Sequence, residues 1–150
     1  MTAPRVKEGK YKVVIKKGKE TFESEVEVLY NKNSVYTLDE REEQFKTTME
    51  LYKMTEDLAY MVYELDEIVN YTKANKDKKS LKKSGEVLAS KLNSLKETLV
   101  VTTGDNYVGA AEPQLREKLG TIYSTVAGYY GKPSKSQYDN IQLITKRFNK

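Results

Sequence analysis

Two groups of carboxylates and one group of tyrosines have types and spacings that suit chemistry. Glu64, Asp66 and Glu67 lie close together, and Glu64 and Glu67 share a helix face at i, i+3. Paired carboxylates are what glycoside hydrolysis uses. Here they fall on solvent-face positions, and nothing around them forms a cleft-like pattern. Asp39, Glu40, Glu42 and Glu43 form a denser cluster of the kind a hard cation takes. They also fill the first turns of a predicted helix, where the helix dipole favours negative charge. The second reading is the simpler one. The expectation is therefore no catalytic residue, no metal and no cofactor.

Composition points the same way. The 150 residues include no histidine and no cysteine. That removes imidazole acid–base chemistry, thiol nucleophiles, disulfides and most zinc, copper and haem ligation. A cysteine-free chain fits a reducing compartment or a Gram-negative cell envelope equally well. Twelve tyrosines stand against no tryptophan. Tyr123, Tyr129 and Tyr130 gather near the end of the third predicted helix. With Tyr107 or Tyr138 they could form an aromatic platform for sugar rings or a protein partner. Packing at the edge of a bundle is the competing use for such rings.

The basic residues need their own account. Lys76, Lys78, Lys79, Lys82 and Lys83 could contact nucleic acid, but no aromatics are interleaved among them. Residues 38–75 carry four basic and ten acidic side chains, whereas residues 76–99 carry seven basic and three acidic. Two neighbouring helices of complementary charge explain this without nucleic acid. The Thr102-Thr103-Gly104-Asp105-Asn106 stretch lacks the spacing of a phosphate loop and reads as a turn. No stretch of 18 apolar residues occurs, so no membrane span is expected.

Residues 11–28 predict a β-hairpin. Tyr11, Val13 and Ile15 alternate with Lys12, Val14 and Lys16, and Phe22, Ser24, Val26 and Val28 alternate with Glu23, Glu25 and Glu27. Gly18 supplies the positive φ of the turn. Four helices are predicted after it. Thr37 and Glu40 make a capping box, and Leu51, Met54, Leu58, Met61, Leu65 and Ile68 make a 3-4 stripe over Leu38 to Asn75. Leu81, Gly85, Leu88, Leu92, Leu95 and Leu99 give the second helix, with Gly85 as a point of close approach. The third starts at Pro113, carries Leu115, Leu119, Ile122, Val126 and Tyr129, and ends on Gly131 as a cap. Ser134 with Gln137 opens the fourth, which carries Tyr138, Ile141, Ile144, Thr145 and Phe148. The predicted fold is mainly α: an antiparallel four-helix bundle over residues 35–150, with a β-hairpin over residues 1–34. Two strands alone are marginal, so the hairpin either packs on the bundle or is the remnant of a larger sheet.

The order of these features resembles the C-terminal region of sortilin-type BNR-repeat, glycosyl-hydrolase-like β-propeller proteins of Bacteroidetes. The resemblance rests on Glu8-Gly9-Lys10-Tyr11-Lys12-Val13-Val14-Ile15 through Gly18, on Val26-Glu27-Val28, and on Glu43-Gln44-Phe45. Leu65-Asp66-Glu67-Ile68-Val69-Asn70 and Lys132-Pro133-Ser134-Lys135-Ser136-Gln137 extend it. Glu8 stands where the family has proline, and Leu29–Asn33 replaces its Asp-Pro. The resemblance implies that the hairpin is the end of an immunoglobulin-like sheet. Propeller and immunoglobulin-like domains of the same chain would precede it as partners. The protein would then be periplasmic or extracellular, sent there by a signal peptide outside this segment. The expected function is a non-catalytic structural or interaction domain of that larger secreted protein. The alternative is a free-standing small helical binding protein for a protein or glycan partner. In either case the open hairpin edge is expected to pair, with the bundle or with a second copy.

Overall fold

The computed structural model describes residues 3–75, 77, 79–102 and 111–149, the side chains of residues 79–81 excepted. Strands β1 (Gly9–Lys17) and β2 (Glu20–Val28) form an antiparallel hairpin, followed by helices α1 (Leu38–Ala74), α2 (Lys79–Leu99), α3 (Leu115–Gly128) and α4 (Lys135–Phe148). The chain is a four-helix bundle with an N-terminal β-hairpin, as the patterning predicts. The turn at 102–106 and the Tyr107 position lie, but for Thr102, outside the described residues, as do Lys76 and Lys78.

The capping signals explain where α1 and α4 begin. The Glu40 backbone N–H donates to Thr37 Oγ1 at 3.2 Å, and the Thr37 N–H donates to a Glu40 carboxylate oxygen at 2.9 Å. Ser134 and Gln137 repeat the arrangement at α4. Together these bonds satisfy N–H groups that every helix start leaves without a partner. Helix α3 begins at Leu115 rather than Pro113, because the Gln114 N–H is taken by the Glu117 carboxylate at 3.1 Å.

The long α1 is the spine on which the others pack. Gln44 Nε2 donates to the Val126 carbonyl at 2.8 Å, and Tyr52 packs against Tyr123, so α3 runs antiparallel to the first half of α1. Tyr138 meets Glu43 and Thr145 meets Met54, so α4 runs along the same half in the direction of α1. Arg147 reaches Gln114 at 3.0 Å, which sets α4 antiparallel to α3. Gly85 lies beside Thr72, and Lys96 pairs with Asp66 at 2.6 Å, so α2 runs antiparallel to the second half of α1. The bundle is thus three helices deep at one end and two at the other.

The core sits at the three-helix end. Leu51, Leu58, Leu115, Leu119, Ile122, Tyr123 and Val126 are buried there, with Met54, Ile141, Ile144 and Phe148 packed on them. Each fully buried leucine contributes roughly 1.5–3 kcal/mol. Along α2 the pattern needs a correction. Leu88 and Leu95 belong to the predicted apolar stripe, yet both are exposed. Helix α2 has α1 as its main neighbour, so it turns only the Gly85–Ala89–Leu92–Lys96–Leu99 line inward. Met61 and Ile68 follow Met54 at seven-residue intervals on α1. Met54 is covered by α4, whereas Met61 and Ile68 lie beyond its end and are open.

The hairpin projects from this body. Gly18 has φ +62°, the left-handed value required of the first residue in a type II′ turn. Lys12 bonds Glu23 across the ladder at 2.7 Å, the charge pairing expected of a lysine-rich strand beside a glutamate-rich one. Its apolar face pairs Ile15 with Phe22 and Tyr11 with Val26. Ile15 is 60% and Phe22 55% exposed, and no strand lies alongside a helix. The hairpin therefore does not bury its apolar face on the bundle.

Candidate functional site

The predicted tyrosine surface divides in two. Tyr123 has no exposed surface and is a core residue. It lies four residues after Leu119 and three before Val126, so the helix repeat turns it inward with them. Burial pushes its phenol above the usual range. Tyr123 therefore cannot share an exposed platform with Tyr129 and Tyr130, which corrects that expectation. Tyr138 is also occupied: its hydroxyl donates to Glu43 at 2.5 Å.

Tyr129 and Tyr130 follow α3 and stand at the base of the hairpin, both about half exposed. Tyr129 meets Tyr36 edge-to-face, with centroids 5.4 Å apart at 69°. The Tyr129 hydroxyl beside Tyr36 is the main reason the Tyr36 phenol is pushed up. The Arg5 guanidinium lies 4.1 Å from the Tyr130 centroid, and Arg41 lies 4.7 Å from both Tyr30 and Tyr130. Lys7 adds a contact over Phe45 and an ion pair with Glu42 at 3.4 Å. Rings and cations thus come from the segment before β1, the exit of β2, α1 and the α3–α4 connection. Their joint effect is to fasten the hairpin base to the bundle. Sequence reading missed Arg5, Tyr30, Tyr36 and Arg41, because nothing local marks a contact between segments so far apart in the chain.

Gly131 belongs to the same junction. It does not have the positive φ of a left-handed helix cap. Its missing side chain matters instead because a Cβ there would stand 2.8 Å from the Tyr36 ring and 2.9 Å from Tyr129.

The carboxylates are engaged structurally. Glu40 caps α1, Glu42 meets Lys7, and Glu43 takes the Tyr138 hydroxyl and Lys132 at 3.4 Å. The Tyr138 bond is the main reason the Glu43 carboxyl sits below its usual value; partial burial opposes this, and the Lys132 charge assists it. Asp66 is held by Lys96, while Glu64 and Glu67 are exposed on the outer face of α1. Among the described residues, no group of acidic side chains has the geometry to hold a metal ion. No described helix is long and apolar enough to cross a membrane.

The uncommitted surfaces of the described residues include two of particular form. One is the apolar hairpin face. The other is a groove of about 1110 Å³ between α3 and α4, on the side away from α1, with Ile122 and Ile144 in its floor. No protein-family model, curated protein or solved structure matches this chain.

Proposed function

We propose that this chain is a non-catalytic interaction domain whose hairpin is completed by β-structure from elsewhere. The observation that carries this is the uncovered hairpin face. Ile15 and Phe22 face each other on it and are more than half exposed, and both strand edges are free of partners among the described residues. A two-stranded sheet with an apolar face in water is marginal, and its edges invite pairing. The firm fastening of its base by Arg5, Arg41 and Lys7 suits a hairpin held out for a partner.

The resemblance noted above supplies a source for that partner. On this reading the hairpin closes an immunoglobulin-like sheet that follows a secreted BNR-repeat propeller, and the helical bundle caps or orients the assembly outside the cytoplasm. The absence of histidine and cysteine, and the engagement of Glu40, Glu42, Glu43 and Asp66 in structural contacts, support a role without catalysis.

The test is the complete reading frame, followed by hydrogen exchange. The expected frame encodes propeller repeats and a signal peptide upstream, and the longer protein protects the amides of β1 or β2 that the isolated chain exchanges quickly. A frame opening at Met1, or equal exchange in both proteins, overturns the proposal. A free-standing helical binding protein is the second reading, and the α3–α4 groove is the observation that favours it.

A further inference from the structure

The groove between α3 and α4 has a composition the hairpin reading does not use. Its floor is apolar, formed by Leu115, Ile122 and Ile144. Its rim carries Lys118 and Arg147 toward one end and Lys132 toward the other, and among the described residues no carboxylate lines it. The cations are not equally free. Lys118 has Glu112 at 4.0 Å, and Lys132 shares Glu43 with Tyr138. Arg147 is held by the Thr98 carbonyl and the Gln114 side chain at 3.0 Å each, and among the described residues it has no carboxylate partner. Its guanidinium is therefore fixed in place by two neutral acceptors, with no carboxylate among the described residues to offset its charge.

The walls repeat as a helix-binding surface does. On α3 they are Leu115, Lys118, Ile122 and Thr125, spaced 3-4-3, with Tyr129 just past the end of the helix. On α4 they are Gln137, Asn140, Ile144 and Arg147, spaced 3-4-3. Both helices have 14 residues, so the groove is roughly 21 Å long at 1.5 Å per residue. At this end α1, α3 and α4 make a three-helix cross-section, and the groove marks the position that a fourth helix takes in a complete bundle. Leu143 stands 63% exposed along the same opening.

We infer that the α3–α4 groove receives an amphipathic helix of a partner protein, with apolar side chains toward Ile122 and Ile144 and carboxylates toward Lys118, Lys132 and Arg147. An apolar stripe in a groove supplies affinity, and the flanking charges select its sign and orientation. This inference is independent of the hairpin reading.

The probe is a fluorescein-labelled amphipathic peptide of about 18 residues, with leucines on one face and glutamates on the other. Its controls are a twin with lysines for the glutamates and a twin with serines for the leucines. Fluorescence anisotropy on the full chain is expected to show saturable binding of the acidic peptide, and binding of either twin weaker by about tenfold or more. Lys118→Glu, at a partly exposed position, and Leu143→Glu, at an exposed one, should each weaken binding by about tenfold while the helical circular dichroism is unchanged. Arg147→Gln should weaken it as well. Equal binding of the acidic and basic peptides overturns the inference. So does acidic-peptide binding that survives both Lys118→Glu and Leu143→Glu. Saturable binding of dodecanoate or of a single-stranded oligonucleotide, with none of the peptide, overturns it too and assigns the groove to that ligand instead.

Discussion

The guanidinium of Arg41 lies 4.7 Å from the ring centroid of Tyr130. The same guanidinium is 4.7 Å from the Tyr30 ring centroid, and Arg5 approaches Tyr130 at 4.1 Å. This cluster of rings and cations links a hairpin that buries little to a bundle that buries a real core. The two parts of the chain are therefore joined in part by polar–aromatic contacts, and the buried core cluster of the described residues draws no residue from the hairpin.

Replacing Arg41 should loosen the hairpin without melting the bundle. Each cation–π contact at such an exposed site is worth about 0.5–1 kcal/mol. Arg41→Ala removes two of them. Hydrogen exchange in β1 and β2 and protease cleavage between Leu29 and Thr37 should accelerate, while the helical signal and the main unfolding transition stay close to wild type. Arg41→Lys should fall between the two, because it keeps the charge but loses the planar stacking face. Unchanged cleavage in Arg41→Ala would remove the stack from this role.

The glycines should separate by their surroundings. At Gly131 a Cβ would meet two tyrosine rings below 3.0 Å, so Gly131→Ala should destabilise by about 1–3 kcal/mol, the usual cost of overpacking. Gly120 lies inside α3 with nothing within 4 Å of an added Cβ. Gly120→Ala should stabilise by about 0.5–1 kcal/mol through helix propensity alone. Denaturant titration of the two variants gives opposite signs if both accounts hold.

What was legible in the sequence follows from how local each signal is. The Thr37–Glu40 and Ser134–Gln137 boxes place two helix starts, because a capping box is complete within four residues. The hairpin and its turn at Gly18 are legible for the same reason. The start of α3 is legible only to within two residues, because Gln114 is an unusual capping residue and Pro113 the more familiar signal. The exposure of Leu88 and Leu95 is not legible, because a 3-4 stripe reports an amphipathic helix but not how many neighbours cover it. Tyr123 and Tyr129 look alike by residue type, but the helix repeat buries Tyr123 and no longer applies to Tyr129, which stays half exposed where α3 has ended. The Arg5–Tyr130 and Arg41–Tyr30 contacts had no sequence signal at all, since they form only once four separate segments converge.

The Glu43–Tyr138 bond should make part of the stability pH-dependent at both extremes. Glu43 in the folded chain titrates below its ordinary value of 4.5, so its contribution is present above that value and lost as pH falls through the lowered one. Tyr138 is pushed above 10.0, first by burial and then by its bond to Glu43. Its contribution is present below its ordinary value and lost as pH rises through the raised one. Tyr138→Phe should therefore be destabilising at pH 7, with the gap to wild type narrowing below about pH 4.5 and above about pH 10. A gap that stays constant from pH 3 to pH 11 would show that packing of the ring, not the hydrogen bond, is responsible.

Stability and assembly should respond to different residues. Leu119 is fully buried at the centre of the core cluster, and Leu119→Ala should cost about 2–5 kcal/mol. Ile15 and Phe22 are large and apolar but mostly exposed, so the isolated chain has little burial to lose there. The double change Ile15→Ser, Phe22→Ser should move the unfolding transition by less than about 1 kcal/mol. In the longer protein, where the proposed sheet covers that face, the same double change should abolish the hydrogen-exchange protection of the hairpin and weaken its docking. If it destabilises the isolated chain as much as Leu119→Ala does, the hairpin is already buried, and the proposal that it awaits a partner sheet fails.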